Sequence, residues 1–225
     1  MIVRAKTMLI GAVAAFCLAF FAGPASAAVT TYLTQSNFLP DGGNYGTVLF
    51  ENSSDAGSGL AAGSVRFTLN INPLRVGDEF GSFAFNTDLN LTAAGIAITA
   101  NIATWNPASG PQQNDGFGDM MWRVRDMSDD GRSPSVTVTV TGLSAGQDTF
   151  AHFHFLSTGN AGEGNAYFTA ELVPATGATG FVGDNGTTPP VIVDPPGVPE
   201  PTSRAIWCLG MVAAGFGARR MRKQK

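Results

Sequence analysis

Two histidines stand two positions apart in the segment TFAHFHFLS, and they are the only histidines in the chain. Side chains at alternate positions of a β-strand project from the same face, so His152 and His154 would lie side by side on one strand. Paired imidazoles are suitable ligands for a divalent metal. The spacing therefore makes this pair a candidate metal site, and metal-dependent catalysis is the chemistry that it could support.

A complete metal centre needs more ligands than these two side chains. The segment begins like the cupin metal motif, Gly-x5-His-x-His counted from Gly146, but positions 158 and 159 are threonine and glycine where that motif has a glutamate. Carboxylates would have to come from elsewhere, for example from Glu171 or from an acidic loop. No cofactor is therefore predicted, and an adventitious divalent metal remains the alternative.

A structural role for the same segment is favoured. On a strand, Ala151, Phe153 and Phe155 would face the core while the two histidines face solvent. If the segment SVTVTVTG forms a hairpin with this strand, the histidines lie beside its row of threonines.

A second candidate site is acidic. The segment RDMSDDGR places Asp126, Ser128 and Asp130 at alternate positions before Gly131, as in the first half of a calcium-binding loop. The twelfth position of such a loop should be glutamate, but it is Thr137 here, inside a predicted strand. A tight hairpin turn is the favoured interpretation, because Asp, Ser and Gly suit turn geometry. The segment QNDGFGD (113–119) is likewise interpreted as a loop, with calcium as the alternative.

These residues must be positioned by β-strands. Hydrophobic side chains between residues 28 and 182 recur with a period of two, and clusters of Gly, Asn, Asp, Ser and Pro separate the runs. The clearest run is SVTVTVTG, in which valines alternate with threonines. About eight to ten short strands and no helix are predicted in this body, which indicates an all-β fold: an antiparallel β-sandwich, jelly-roll-like.

The charge and the cysteines restrict what this body can do. Between Ala28 and Val198 there are five arginines, no lysine and sixteen acidic residues, a formal charge of −11. Nucleic acid is therefore not an expected partner, because binding it requires clustered cations. Both cysteines lie outside the body, which also lacks a Gly-x-Ser-x-Gly elbow, so nucleophilic catalysis finds little support.

The first 27 residues predict a secretory signal peptide. Two cationic residues, Arg4 and Lys6, precede an apolar run, and Gly23-Pro24 follows it. Ala25-Ser26-Ala27 then has the small-x-small pattern of a signal peptidase site, so cleavage is expected before Ala28. An N-terminal membrane helix is the alternative.

The amino-acid composition changes again after residue 182. Residues 183–198 are rich in proline and glycine and predict an extended linker. The triplet Pro199-Glu200-Pro201 follows, then an apolar run of fourteen residues from Ala205 to Ala218. A helix of that length spans roughly 21 Å, against a hydrocarbon core of about 30 Å, so it is a poor permanent membrane anchor. The basic cluster comes last and contains Arg219, Arg220 and Arg222.

In this order, the three parts of residues 199–225 resemble the sorting signal of the PEP-CTERM family of Gram-negative exported proteins. The resemblance implies that Pro199, Glu200 and Pro201 are recognised by an exosortase, a protease or transpeptidase of the membrane. Arg219, Arg220 and Arg222 would hold the tail in the cytoplasm while the body lies in the periplasm. Arg204 departs from the family's pattern, and an ordinary tail anchor is the alternative.

The resemblance implies a route and a compartment, and it covers only about thirty residues. After transient anchoring in the inner membrane, the protein would reach the cell surface or extracellular matrix. A non-enzymatic protein associated with the exopolysaccharide of a biofilm is expected. The alternatives are a carbohydrate- or calcium-binding jelly-roll module and, with least support, a metal-dependent enzyme that uses His152 and His154.

Overall fold

The computed structural model describes residues 28–40, 42–55, 57–128 and 130–187, together with the backbone of 191–193. Twelve strands account for most of the regular structure of these residues. They are β1 (Ala28–Leu33), β2 (Gln35–Ser36), β3 (Gly46–Asn52), β4 (Val65–Ile71), β5 (Glu79–Phe85), β6 (Ala97–Ala100), β7 (Trp105–Asn114), β8 (Gly118–Asp126), β9 (Ser135–Thr141), β10 (Phe168–Val173), β11 (Gly180–Gly183) and β12 (Val191–Val193). A short 3₁₀ helix, Phe150–Phe153, precedes β10.

The strands form two antiparallel sheets of six. The order in the first sheet is β12-β1-β3-β4-β9-β6, and the order in the second is β2-β11-β10-β5-β8-β7. Of the eleven connections between successive described strands, three stay within one sheet and eight pass to the other. The all-β prediction is confirmed for the described residues, and most strand neighbours are distant in sequence.

Alternation decides which side chains enter the core. In β9, Val136, Val138 and Val140 are fully buried, as the valine and threonine pattern predicted. In β4 the buried residue at the centre is Phe67, whose ring lies 5.4 Å from Phe83 of the second sheet. One hydrophobic core is therefore shared by side chains from both sheets.

Strand β7 is not expected from hydrophobic periodicity, because its sequence, WNPASGPQQN, is mostly polar. It lies at the edge of the second sheet and pairs only with β8 among the described strands. An edge strand can have solvent on one side and can accommodate proline, so Pro107 and Pro111 do not prevent pairing. The register shifts between Ser109 and Gln112, which introduces an irregularity in the middle of the strand.

Strand β12 lies inside the segment predicted to be a linker. Its backbone pairs antiparallel with β1, with Ala28 opposite Val193. The first sheet therefore extends past residue 182, the predicted end of the β-body.

A buried carboxylate fixes the chain where it leaves β11. Asp184 is 4% exposed and accepts hydrogen bonds from the backbone N–H groups of Tyr167 (3.1 Å), Phe168 (2.8 Å) and Gly186 (2.9 Å). Burial raises the pKa of Asp184, although the three donors act in the opposite direction. The side chain connects the start of β10 to the end of β11.

Candidate functional site

The segment with the two histidines is not a strand, so that prediction was wrong. Phe150–Phe153 forms the 3₁₀ helix, and His154 follows it. Residues three apart share a face of a 3₁₀ helix, and Phe150 and Phe153 both pack on Phe50 of β3. The reason is topological: the segment connects β9 in the first sheet to β10 in the second, so it must turn.

Two further expectations for this segment were wrong. Phe153 is fully buried as predicted, but Ala151 and Phe155 are exposed. Strand β9 pairs with β4 and β6, and it forms no hairpin with the histidine segment. The alternation that suggested a strand was therefore accidental.

Each histidine has a different partner. The Nδ1 atom of His152 lies 2.9 Å from Oδ1 of Asp88, in the loop that follows β5. The ring of His154 stacks on Tyr167, with 3.6 Å between ring centroids and 21° between ring planes. Glu171, considered as an additional ligand, lies 3.6 Å from the guanidinium of Arg123. Among the described residues, no group of three or more His, Cys, Asp or Glu side chains is arranged to hold a metal.

Burial lowers the pKa of His154, because the stacked ring is partly removed from water. The unfolded chain therefore binds a proton at this histidine more readily than the folded chain does. We expect the free energy of unfolding to fall as the pH is lowered from about 7.5 to about 5, across the ordinary histidine pKa of about 6.5. Urea unfolding at both pH values measures this change.

The His154→Phe variant keeps an aromatic ring against Tyr167 and removes the titrating group, so its stability should fall less with acid. Phe155→Leu, which changes an exposed neighbour without altering a titrating group, is the matched control, and it should lose as much stability as the unmodified protein. Equal losses in His154→Phe and in the unmodified protein would contradict the assignment.

The acidic segment forms a turn, but it is not a hairpin, so that part of the prediction was wrong. It leads from β8 in the second sheet to β9 in the first. Asp126 accepts hydrogen bonds from the backbone N–H of Ser128 (3.2 Å) and of Gly131 (2.9 Å). Burial would raise the pKa of Asp126, but these bonds outweigh it and the pKa lies below its ordinary value. Asp130 is exposed.

The segment 113–119 is a true hairpin. Asn114 at the end of β7 pairs with Gly118 at the start of β8, so three residues form the connection. Gly116 has a φ of +87°, a conformation that glycine adopts without strain. Phe117 is fully buried and anchors the turn to the core.

A surface groove was not predicted from the sequence. Its volume is about 420 Å³, and it lies between the loop that follows β5 and the middle of β7 and β8. The residues that line it include Asp88, Leu89, Asn90, Ser109, Met121 and Trp122. The loop and the strands are separated in sequence and meet only in the fold, so local patterns carry no signal for this groove.

The start of the groove's loop is held by contacts with β8 and with residues 152–156. Asn86 donates a hydrogen bond to the carbonyl of Leu156 (2.9 Å) and accepts one from the backbone N–H of Met121 (2.7 Å). Thr87 donates to the carbonyl of His152 (2.6 Å), and the His152 ring contacts Asp88. His152 therefore helps to hold in place the loop that forms one side of this groove.

The predicted sorting and cleavage residues lie outside the described part of the chain, apart from Ala28, the first residue of β1. They are Ala25, Ala27, Pro199, Glu200, Pro201, Arg219, Arg220 and Arg222. Within the described residues, there is no helix whose length and apolar character would allow it to cross a membrane.

The described residues define an all-β protein of two antiparallel sheets, with a groove at one edge that is lined by both polar and apolar side chains. Searches with protein-family models, among curated proteins and among solved structures found no match to the chain.

Proposed function

We propose that this chain is an exported, non-enzymatic protein of the cell surface or extracellular matrix that associates with exopolysaccharide. The observation that carries the proposal is the order of three parts in the sequence: Pro199-Glu200-Pro201, the apolar run from 205 to 218, and the basic cluster after it. Signal peptidase would remove residues 1–27, and an exosortase would cut near Pro201 while the short apolar segment is in the inner membrane.

We propose further that the two sheets are the layers of a jelly-roll-like β-sandwich. The core shared by Phe67 and Phe83 from different sheets supports two packed layers, and so does the repeated crossing of the chain between them. A body of this kind needs no disulfide, and it contains no cysteine. Its surplus of acidic residues favours solubility outside the cell and disfavours nucleic acid as a partner.

The contacts of the candidate metal-ligating residues support a non-enzymatic role. His152 contacts Asp88, His154 stacks on Tyr167, and Asp126 accepts hydrogen bonds within its own turn. Each of these side chains has a structural partner that explains its position. Among the residues that the structure describes, no third His, Cys, Asp or Glu side chain joins them in a group that could hold a metal.

Intact-mass measurement of the exported protein tests the proposal. We expect a product that begins at Ala28 and ends near Pro201, and we expect the tail to remain in cells that lack the exosortase. Glu200→Ala should leave the tail uncut, because it removes the only charge of the motif. Pro195→Ala, in the linker, is the matched control and should be processed normally. An exported product that still ends at Lys225 would refute the proposal.

A further inference from the structure

The groove between the loop after β5 and strands β7 and β8 has the composition of a ligand site. Its volume of about 420 Å³ lies within the range of small-molecule sites, about 300–1,000 Å³. We propose that it binds one or two sugar rings of a neutral saccharide. The proposal deepens the function proposed above, and it rests on that function for the association with a polysaccharide.

The groove offers both kinds of surface that a sugar ring requires. Leu89, Met121 and Trp122 supply apolar surface, and Met121 is 48% exposed while Trp122 is 9% exposed. A pyranose has an apolar face of C–H groups that packs against such surface. Its hydroxyl groups both donate and accept hydrogen bonds, so they need polar partners at the rim.

Polar side chains line the same groove. Asp88, Asn90 and Ser109 are exposed, and they present a carboxylate, an amide and a hydroxyl group. Together these groups can accept and donate hydrogen bonds to neighbouring hydroxyls of one ring. A purely apolar ligand would displace water from these exposed groups without replacing its hydrogen bonds, which disfavours binding.

The charge of the groove selects among saccharides. Among the described residues that line it, Asp88 carries the only charge, and the body as a whole is strongly acidic. A uronic acid would bring a second carboxylate close to Asp88, and the two would repel each other. The geometry therefore points to a neutral saccharide.

The groove is formed before any ligand binds. Asn86 and Thr87 fix the loop to three separate backbone groups, and His152 contacts the carboxylate of Asp88. A site that is already ordered loses less conformational entropy on binding. His152 is thus a positioning residue, since it acts on the ligand only through Asp88.

Ser109 provides a way to block the site without disturbing the core. It is exposed and pairs with Trp122 across β7 and β8. Because Ser109 lines the groove and is exposed, a larger side chain at this position can extend into the groove. Ser109→Trp should fill the groove. Thr176→Trp, in the exposed turn between β10 and β11, is the matched control.

The test uses the full chain, purified in a zwitterionic detergent that has no sugar headgroup. Methyl glycosides of the common neutral hexoses and N-acetylhexosamines, and their disaccharides, are titrated while ¹H–¹⁵N NMR spectra are recorded. We expect at least one of them to shift the Trp122 indole signal and the backbone signals of Gly110 and Met121. The expected dissociation constant is about 1 mM, because a shallow groove covers only part of a ring.

Four comparisons decide the proposal. Ser109→Trp should weaken binding at least about tenfold, whereas Thr176→Trp should leave it unchanged. A uronic acid disaccharide should bind at least about tenfold more weakly than its neutral counterpart, and Asp88→Asn should reduce that difference. The proposal is overturned if no neutral sugar shifts these signals, if Ser109→Trp binds normally, or if uronate binds equally well. Tail removal is measured separately, so its failure would leave this result intact.

Discussion

Replacing Phe67 with alanine is expected to lower the free energy of unfolding by about 4 kcal/mol. The ring is fully buried in β4 and contacts five other phenylalanines. These are Phe50 (5.4 Å between centroids), Phe83 (5.4 Å), Phe85 (5.0 Å), Phe153 (5.5 Å) and Phe168 (5.8 Å). Since the neighbours come from both sheets and from the 3₁₀ helix, no single element can move to fill the cavity. Urea unfolding followed by tryptophan fluorescence measures the loss.

Phe155→Ala is the matched control for this experiment. Phe155 is 40% exposed, so its truncation should lower stability by less than about 1 kcal/mol. Similar losses in the two variants would contradict the position of Phe67 at the centre of the shared core.

Asp184→Ala is expected to lower the free energy of unfolding by about 2–3 kcal/mol. The carboxylate accepts three backbone N–H groups near the start of β10 and after β11. Alanine would leave these donors without an acceptor in a site where the native side chain is only 4% exposed. Denaturant unfolding at neutral pH measures the effect.

Two further variants show which property of Asp184 matters. Asp184→Asn keeps one acceptor oxygen for the N–H groups of Tyr167 and Gly186 but places an amide NH2 against the N–H of Phe168, so it should recover only part of the stability lost in Asp184→Ala. Asp130→Ala removes an exposed carboxylate and should change stability by no more than about 0.5 kcal/mol. A loss in Asp130→Ala as large as that in Asp184→Ala would contradict a specific role for the buried hydrogen bonds.

The strands with strict alternation could be predicted from the sequence. In β9 and β4, each buried residue is followed by a more polar one, and the structure buries the apolar set. This succeeds because one face of each of these strands packs on a common core while the other is more accessible to water. Trp105 and Trp122, in β7 and β8, are also buried.

Elsewhere, tertiary structure overrode the local pattern. In the segment TFAHFHFLS, apolar residues alternate with others as regularly as they do in many strands. Its position between two sheets nevertheless requires a turn, so Phe150 and Phe153 pack into the core at a spacing of three residues. Conversely, β7 is polar because it is an edge strand, so its own sequence contains no apolar periodicity. Neither outcome follows from a window of a few residues.

The groove could not be predicted from the sequence for the same reason. Asp88, Ser109 and Trp122 come from one loop and two strands, and only the antiparallel pairing of β7 with β8 brings them together. The two histidines, which the sequence suggested as a possible metal pair, have separate partners in the fold, Asp88 and Tyr167. The contact between His152 and Asp88, which connects one of them to the groove, depends on residues 64 positions apart.

The repeated passage of the chain between the two sheets has a consequence for how the protein is made. Most strands pair with partners that are far away in sequence, so loops must close before these contacts form, and such chains fold slowly. On the proposed route the polypeptide must cross the inner membrane before it acquires its final shape. On that route, slow folding would keep the newly made chain unfolded until it has crossed, and because the body has no cysteine, its folding there would require no oxidant.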